Sequence, residues 1–180
     1  MHLQLHIIAV DRIEIFQREV AEINESKVTI DSIPVVHLEM VRDNEIAYGK
    51  HTLSSPKDVS DMFIPLIGNR DREHLLVCAV DSKNRPSKLQ ITGIGTQTAC
   101  LFSVPDIWKM AVLSNAAGII VAHNHPSGLT DPSEDDISAT RKLISAGKIL
   151  EIPILDHLII GMNSYYSFYE NMPELWEKNN

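Results

Sequence analysis

Residues 121–136, V-A-H-N-H-P-S-G-L-T-D-P-S-E-D-D, decide how this chain is read. They complete an apolar run, Gly118 to Ala122, that reads as a buried strand. His123 and His125 follow two residues apart, so on an extended backbone both imidazoles project from one face. Pro126, Gly128 and Pro132 then turn the chain, and Ser133 opens a helical segment with Asp136 in its first turn. Two imidazoles and a carboxylate meeting this way make a three-ligand site with a place for water, as catalytic zinc requires. Each residue also has a plainer reading. Ser133 is a natural N-cap, an acid in a first turn favours any helix, and loop histidines can simply be solvated. The cap and ligand roles are compatible, and the constellation as a whole favours the metal.

Working outward, Ser54-Ser55-Pro56 signals a helix start, with a helix to about Ile67 that buries Val59, Met62, Phe63 and Ile67 and stops at Gly68. Glu73 to Val80 reads as a strand, 81–86 as a turn, and Lys88 to about Gly95 as the second arm of a hairpin. Ser103 is a cap for a helix carrying Ile107, Met110, Ala111 and Leu113. Past the site, the expectation is a helix from Glu134 to Ala146 ended by Gly147, then a last strand from Ile154 to Ile160 and a Tyr-rich tail. At the N-terminal side, Leu3 to Val10 reads as a strand and Asp11 to Asn24 as an amphipathic helix that packs on the domain. Residues 27–46 look β-rich, an extra strand or hairpin on the sheet edge, with His37 structural. This order of elements is α/β, one sheet sandwiched by helices. The expected division is an N-terminal extension over 1–50, the main domain over 51–172 and a tail over 173–180.

His123-x-His125, seven residues, Ser133, two residues and Asp136 resembles the metal motif of the JAB/MPN/JAMM metalloprotease superfamily. His123-Asn124-His125-Pro126-Ser127-Gly128 is similar to the RadC branch in particular. Arg72-Glu73-His74-Leu75, Asp81-Ser82-Lys83-Asn84-Arg85, and Asp156-His157-Leu158-Ile159-Ile160-Gly161 ahead of Tyr165-Tyr166-Ser167-Phe168 carry the same likeness. Leu129-Thr130-Asp131 departs from the usual RadC wording without touching a ligand position. The resemblance spans about residues 53 to 170 and implies a single mixed sheet of the JAB/MPN, cytidine-deaminase-like kind, holding Zn2+. Fuller RadC proteins carry an N-terminal helix-hairpin-helix domain that residues 1–50 do not match, so no DNA-binding role is expected from them.

Composition narrows the function classes. The formal charge of −8 disfavours a broad nucleic-acid or anionic membrane surface, since phosphate binding needs clustered Lys and Arg. A hydrophobic share of 44 % over 180 residues suffices for one domain with a substantial core. Cys78 and Cys100 lie in strand-like runs without metal-ligand spacing and read as buried thiols. Neither a signal peptide nor a span-length apolar run stands out, so the expected location is cytoplasmic, with no membrane partner.

Hydrolysis at such a site needs a base for the water's proton. Asp131, Glu134 and Asp135 are near in sequence, but Glu73 heads a strand that can lie beside the central one and matches the RadC acid, so the base is assigned to Glu73. Ser133, at a helix start, is placed to donate to an oxyanion. The helix N-terminus favours ionised Asp136. His157, in an apolar strand, is read as a hydrogen-bonded core histidine, with a role in holding or supporting the metal as the alternative. His74 should point to the opposite strand face, and Asn84 and Arg85 are turn residues. The expected activity is zinc-dependent cleavage of a peptide or isopeptide bond in a protein or peptide substrate. One alternative is a DNA-repair-associated or protein-binding module with a vestigial site. Another is a zinc nucleobase deaminase, which the lack of a Cys-x-x-Cys pair opposes.

Overall fold

The structure, a computed structural model, describes residues 34–49, 52–96 and 103–177. The chain divides into two units, 1–41 and 42–180. In the first unit only 34–41 are described, and they are exposed and without regular structure. Residues 42–48, which open the second unit, also lack it, so over its described part the β-rich reading of 27–46 is corrected. The strand over 3–10, the helix over 11–24 and Cys100 lie outside the described residues.

The second unit contains, in order, α1 (Pro56–Ile67), β1 (His74–Val80), β2 (Pro86–Ile94), α2 (Val104–Leu113), β3 (Gly118–Asn124), α3 (Glu134–Ile149), β4 (Ile154–Ile160), β5 (Tyr165–Ser167), α4 (Phe168–Asn171) and α5 (Glu174–Glu177). The strands form one mixed sheet ordered β2-β1-β3-β4-β5. Among the described strands only β3–β4 is a parallel pair. Because strand side chains alternate, the sheet has two apolar faces. Leu76, Cys78, Val80, Ile120, Ala122, Leu158 and Ile160 meet Val59, Phe63 and Ile67 of α1. Leu75, Val77, Ala79, Ile119, Val121 and Ile159 meet Ile107, Trp108 and Ala111 of α2 and Ile137, Leu143 and Ile144 of α3. Helices therefore sandwich the sheet.

Local chemistry explains most of the boundaries. Ser55 caps α1 by accepting from the Asp58 N–H, and Pro56 takes the first position, where its missing donor is not needed. The 81–85 turn closes on the Asp81 carboxylate, which accepts from the Lys83 and Arg85 N–H groups and from the Arg85 guanidinium, while Asn84 supplies a left-handed residue at φ 55°. Ser103 makes no side-chain cap to α2, against expectation, and Trp108 joins the buried set while Leu113 is only half-buried. Gly147 does not end α3, which runs to Ile149. A Cβ there would lie 2.9 Å from the Ile152 carbonyl oxygen and 3.2 Å from the Ile154 nitrogen, so glycine serves close approach of α3 to the start of β4. After β4 the Tyr-rich stretch adds a fifth strand, β5, while α5 buries Leu175 and Trp176 donates to the Ile154 carbonyl at 3.0 Å.

β4 is pinned to this last segment by the buried Asp156. Its carboxylate accepts from Ser167 Oγ at 2.6 Å, from the His157 N–H at 2.7 Å and from the Tyr169 N–H at 3.0 Å. Burial pushes its pKa up to about 6, with these three donors pulling the other way. The folded state thus keeps a proton between about pH 4 and about pH 6 that the unfolded chain has lost, so this group's contribution to stability falls as pH rises through that window. Asp156→Asn removes the titration. Its stability relative to wild type should rise by up to about 3 kcal/mol between pH 4 and pH 7, two pKa units at ~1.4 kcal/mol each. Urea denaturation at both pH values checks this, and a constant offset between the two proteins would refute it.

Candidate metal centre

His123 is carried by β3 on the α3 side of the sheet, in register with Leu75 of β1 and Ile159 of β4. His125 lies just past the strand end, its N–H donating to the Ile160 carbonyl at 3.0 Å. The chain then reverses through Gly128, whose φ of 79° suits glycine and whose N–H donates back to the His125 carbonyl. At the head of α3, Ser133 and Asp136 form a capping box: Ser133 Oγ accepts from the Asp136 N–H at 3.1 Å, and Asp136 Oδ2 accepts from the Ser133 N–H at 2.8 Å. The cap that starts the helix therefore also aims its carboxylate.

Three atoms converge as a result. His123 Nε2 stands 3.2 Å from His125 Nε2 and 3.1 Å from Asp136 Oδ1, and His125 Nε2 is 3.6 Å from Asp136 Oδ2. His125 Nδ1 is 2.9 Å from the Leu129 carbonyl, which can only accept, so the ring proton sits on Nδ1 and the neutral ring turns its Nε2 lone pair inward. Burial alone would push the Asp136 pKa up. Hydrogen bonds that His123 and His125 donate when protonated, the Ser133 hydrogen bond and the charge of protonated His123 outweigh it and hold the pKa far below the usual carboxylate range. Asp136 in turn raises the His125 pKa. Lone pairs so close together are stable around a cation, and these residues form a group that could hold a metal ion.

Glu73 is buried one residue before β1. Continuing the Leu75–His123 register by one strand repeat sets it level with His125, on the same face. Burial raises its pKa, the His123 and His125 charges lower it, and Asp136 raises it, so its carboxylate stands within the field of the cluster. Asp131, Glu134 and Asp135 are exposed. Ser133 Oγ donates its one proton to Asp136 Oδ2 at 2.6 Å. His74 turns to the other face, its Nδ1 at 2.8 Å from the Arg72 carbonyl. His157 is not among the three converging residues. It is a fully buried, hydrogen-bonded histidine, and its partner is His123: Nε2 lies 3.0 Å from His123 Nδ1. Burial drives its pKa well down, with the His123 charge acting the same way.

Residues 53–173 match the family profile of the RadC-like JAB domain. The chain belongs to the RadC-like JAB family. A UPF0758 protein of Chloroflexus aggregans is 40 % identical over 121 residues, which cover 67 % of this chain and 53 % of that protein. One from Methanosarcina mazei is 39 % identical over 118 residues, 66 % of this chain and 52 % of its own length. One from Rubrobacter xylanophilus is 35 % identical over 156 residues, 86 % and 67 % of the two chains. The chain thus spans about half the length of the first two relatives. Among the described residues, no helix is long and apolar enough to cross a membrane.

Sequence reasoning gave no role to Asn124, between the two histidines of this RadC-like site. Its amide is fully buried: Oδ1 accepts from the His74 N–H at 2.8 Å, and Nδ2 donates to the carbonyls of Arg72 at 3.1 Å and Arg70 at 3.5 Å. It thereby ties β3 to the turn that presents Glu73. Spacing could not reveal this, because the partners lie some fifty positions away. Asn124→Asp keeps the shape but sets a carboxylate against two carbonyls. The expected cost is about 2 kcal/mol or more, the scale for unsatisfied buried groups. A buried carboxylate has a raised pKa, so the loss should deepen as pH rises through and above ~4. Urea midpoints at about pH 5 and pH 8 measure it, and wild-type stability at pH 8 would refute the clamp.

Proposed function

We propose that this RadC-like JAB domain is a zinc-dependent hydrolase of amide bonds, acting on a peptide or isopeptide linkage of a protein substrate. The observation that carries the reading is the convergence of His123 Nε2, His125 Nε2 and Asp136 at 3.1–3.6 Å, with the buried Glu73 on the same face. A tetrahedral centre with bonds of ~2.0–2.1 Å has ligand–ligand edges of about 3.3 Å, so the donor set fits zinc. Zinc held there supplies a Lewis acid that brings the pKa of water to about 7 and polarises a carbonyl.

The chain's own groups do the rest. Glu73 accepts the proton of the attacking water and returns it to the leaving nitrogen. Ser133 positions Asp136, and it donates to the tetrahedral oxyanion by rotating its hydroxyl away from Asp136 Oδ2. His125 is the more exposed of the two imidazoles, at 17 % against 1 % for His123, so substrate approaches from its side. An intact donor set argues against a vestigial module.

Elemental analysis should find about one zinc per chain in the wild type and little in His123→Ala, His125→Ala or Asp136→Ala, each of which should also melt lower. Glu73→Gln should keep zinc and melting temperature while hydrolysis of a cleavable substrate falls about a hundredfold or more. Full zinc in a variant lacking both histidines sinks the metal assignment. Loss of zinc in Glu73→Gln makes Glu73 a ligand instead of a base.

The partner reading has its own test. With a formal charge of −8, the protein should bind neither DNA nor RNA at physiological salt. A gel-shift complex that dissolves at high salt would overturn this and favour a nucleic-acid-binding module.

A further inference from the structure

Behind His123 a line of hydrogen bonds returns to another ligand of the same site. Thr140 Oγ1 lies 2.7 Å from the Asp136 main-chain carbonyl and 2.7 Å from His157 Nδ1. His157 Nε2 lies 3.0 Å from His123 Nδ1. Thr140 and His157 are fully buried, and the His157 ring stacks on Phe168 at 4.9 Å and 11°.

Donor arithmetic orients every proton on this line. The Asp136 carbonyl can only accept, so the single Thr140 hydroxyl proton points to it. Thr140 Oγ1 must then accept from His157, which puts the His157 ring proton on Nδ1. In a site closed to water and packed on an aromatic ring the imidazole is held neutral. Its Nε2 is then an acceptor, and His123 Nδ1 must be the donor. A neutral His123 with its proton on Nδ1 has its lone pair on Nε2, the atom that faces His125 and Asp136. With the opposite tautomer, His123 would present N–H to the metal and could not bind it.

We infer that Thr140 and His157 are positioning residues whose relay from the Asp136 carbonyl fixes the ring tautomer and orientation of His123. The relay rests on the metal-site reading for its purpose but stands on the tautomer alone for its test. The two ligands from different elements are thereby coupled. α3 brings Asp136 by its first turn and Thr140 by its second, and the same helix that aims one ligand selects the proton state of the other.

The test uses the full chain, metal-free at about pH 8, where free imidazoles are neutral. Nitrogen-15 ring spectra should show His123 and His157 both protonated at Nδ1. Thr140→Val removes the acceptor for His157 while keeping the volume, and should shift His123 toward the Nε2–H form. Zinc affinity, read by competition with a chromophoric chelator, should fall roughly ten- to a hundredfold in Thr140→Val. Thr140→Ser keeps the hydroxyl and should retain both the tautomer and the affinity. His123 found as Nε2–H in the metal-free wild type overturns the relay, and so does a folded Thr140→Val with wild-type tautomers. If Thr140→Val fails to fold, the wild-type and Thr140→Ser spectra still decide. A wild type with the expected tautomers that takes up no zinc would sink the zinc reading and leave the relay standing.

Discussion

β3 is hydrogen-bonded on both edges, antiparallel to β1 and parallel to β4, and the strand-borne half of the candidate metal centre takes its position from that double pairing. His123 cannot shift along the strand without breaking two ladders, and a one-residue slip would turn it to the α1 face. The same pairing fixes its neighbours. The β1 register, continued past its start, sets Glu73 level with His125, and β4 places His157 beside Val121, on the His123 face. A rigid strand end is a suitable platform for ligands that must hold sub-ångström geometry.

The other half of the site arrives by a helix cap. Asp136 is at once the third residue of α3, the partner of Ser133 in a capping box and a member of the converging cluster. These roles reinforce each other, because the ionised state that a helix N-terminus favours is also the state a metal requires. The Ser133 hydroxyl is consequently committed to the carboxylate in this structure.

Polar burial around the centre is extensive but closed. Asn124, Thr140, Asp156, His157 and Ser167 are buried, and among the described residues no buried side-chain nitrogen or oxygen lacks a partner. Buried networks of this kind favour one arrangement, since a displaced member leaves a desolvated group unpaired. Around a metal site they also hold the ligands ready before the ion arrives.

The amino-acid sequence by itself determined the elements that rest on local chemistry and period. The apolar run 118–122, the His-x-His spacing, the Ser133–Asp136 cap and the Ser55-Pro56 helix start all act within a few residues, so α1, β1, β3, α3, β4 and the convergence of His123, His125 and Asp136 were legible. Where a β-rich composition was the only signal, as over 34–41, the reading failed, because residue type alone does not supply a partner strand. Gly147 misled for the converse reason: its lack of a side chain answers to the backbone of 152–154, a tertiary neighbour invisible to helix rules. Only the tertiary structure decided which sheet face carries Glu73, that Asn124 clamps the turn before β1, and that the buried His157 leans on His123. Those contacts join residues tens of positions apart, and strand order and register, which no local spacing encodes, bring them together.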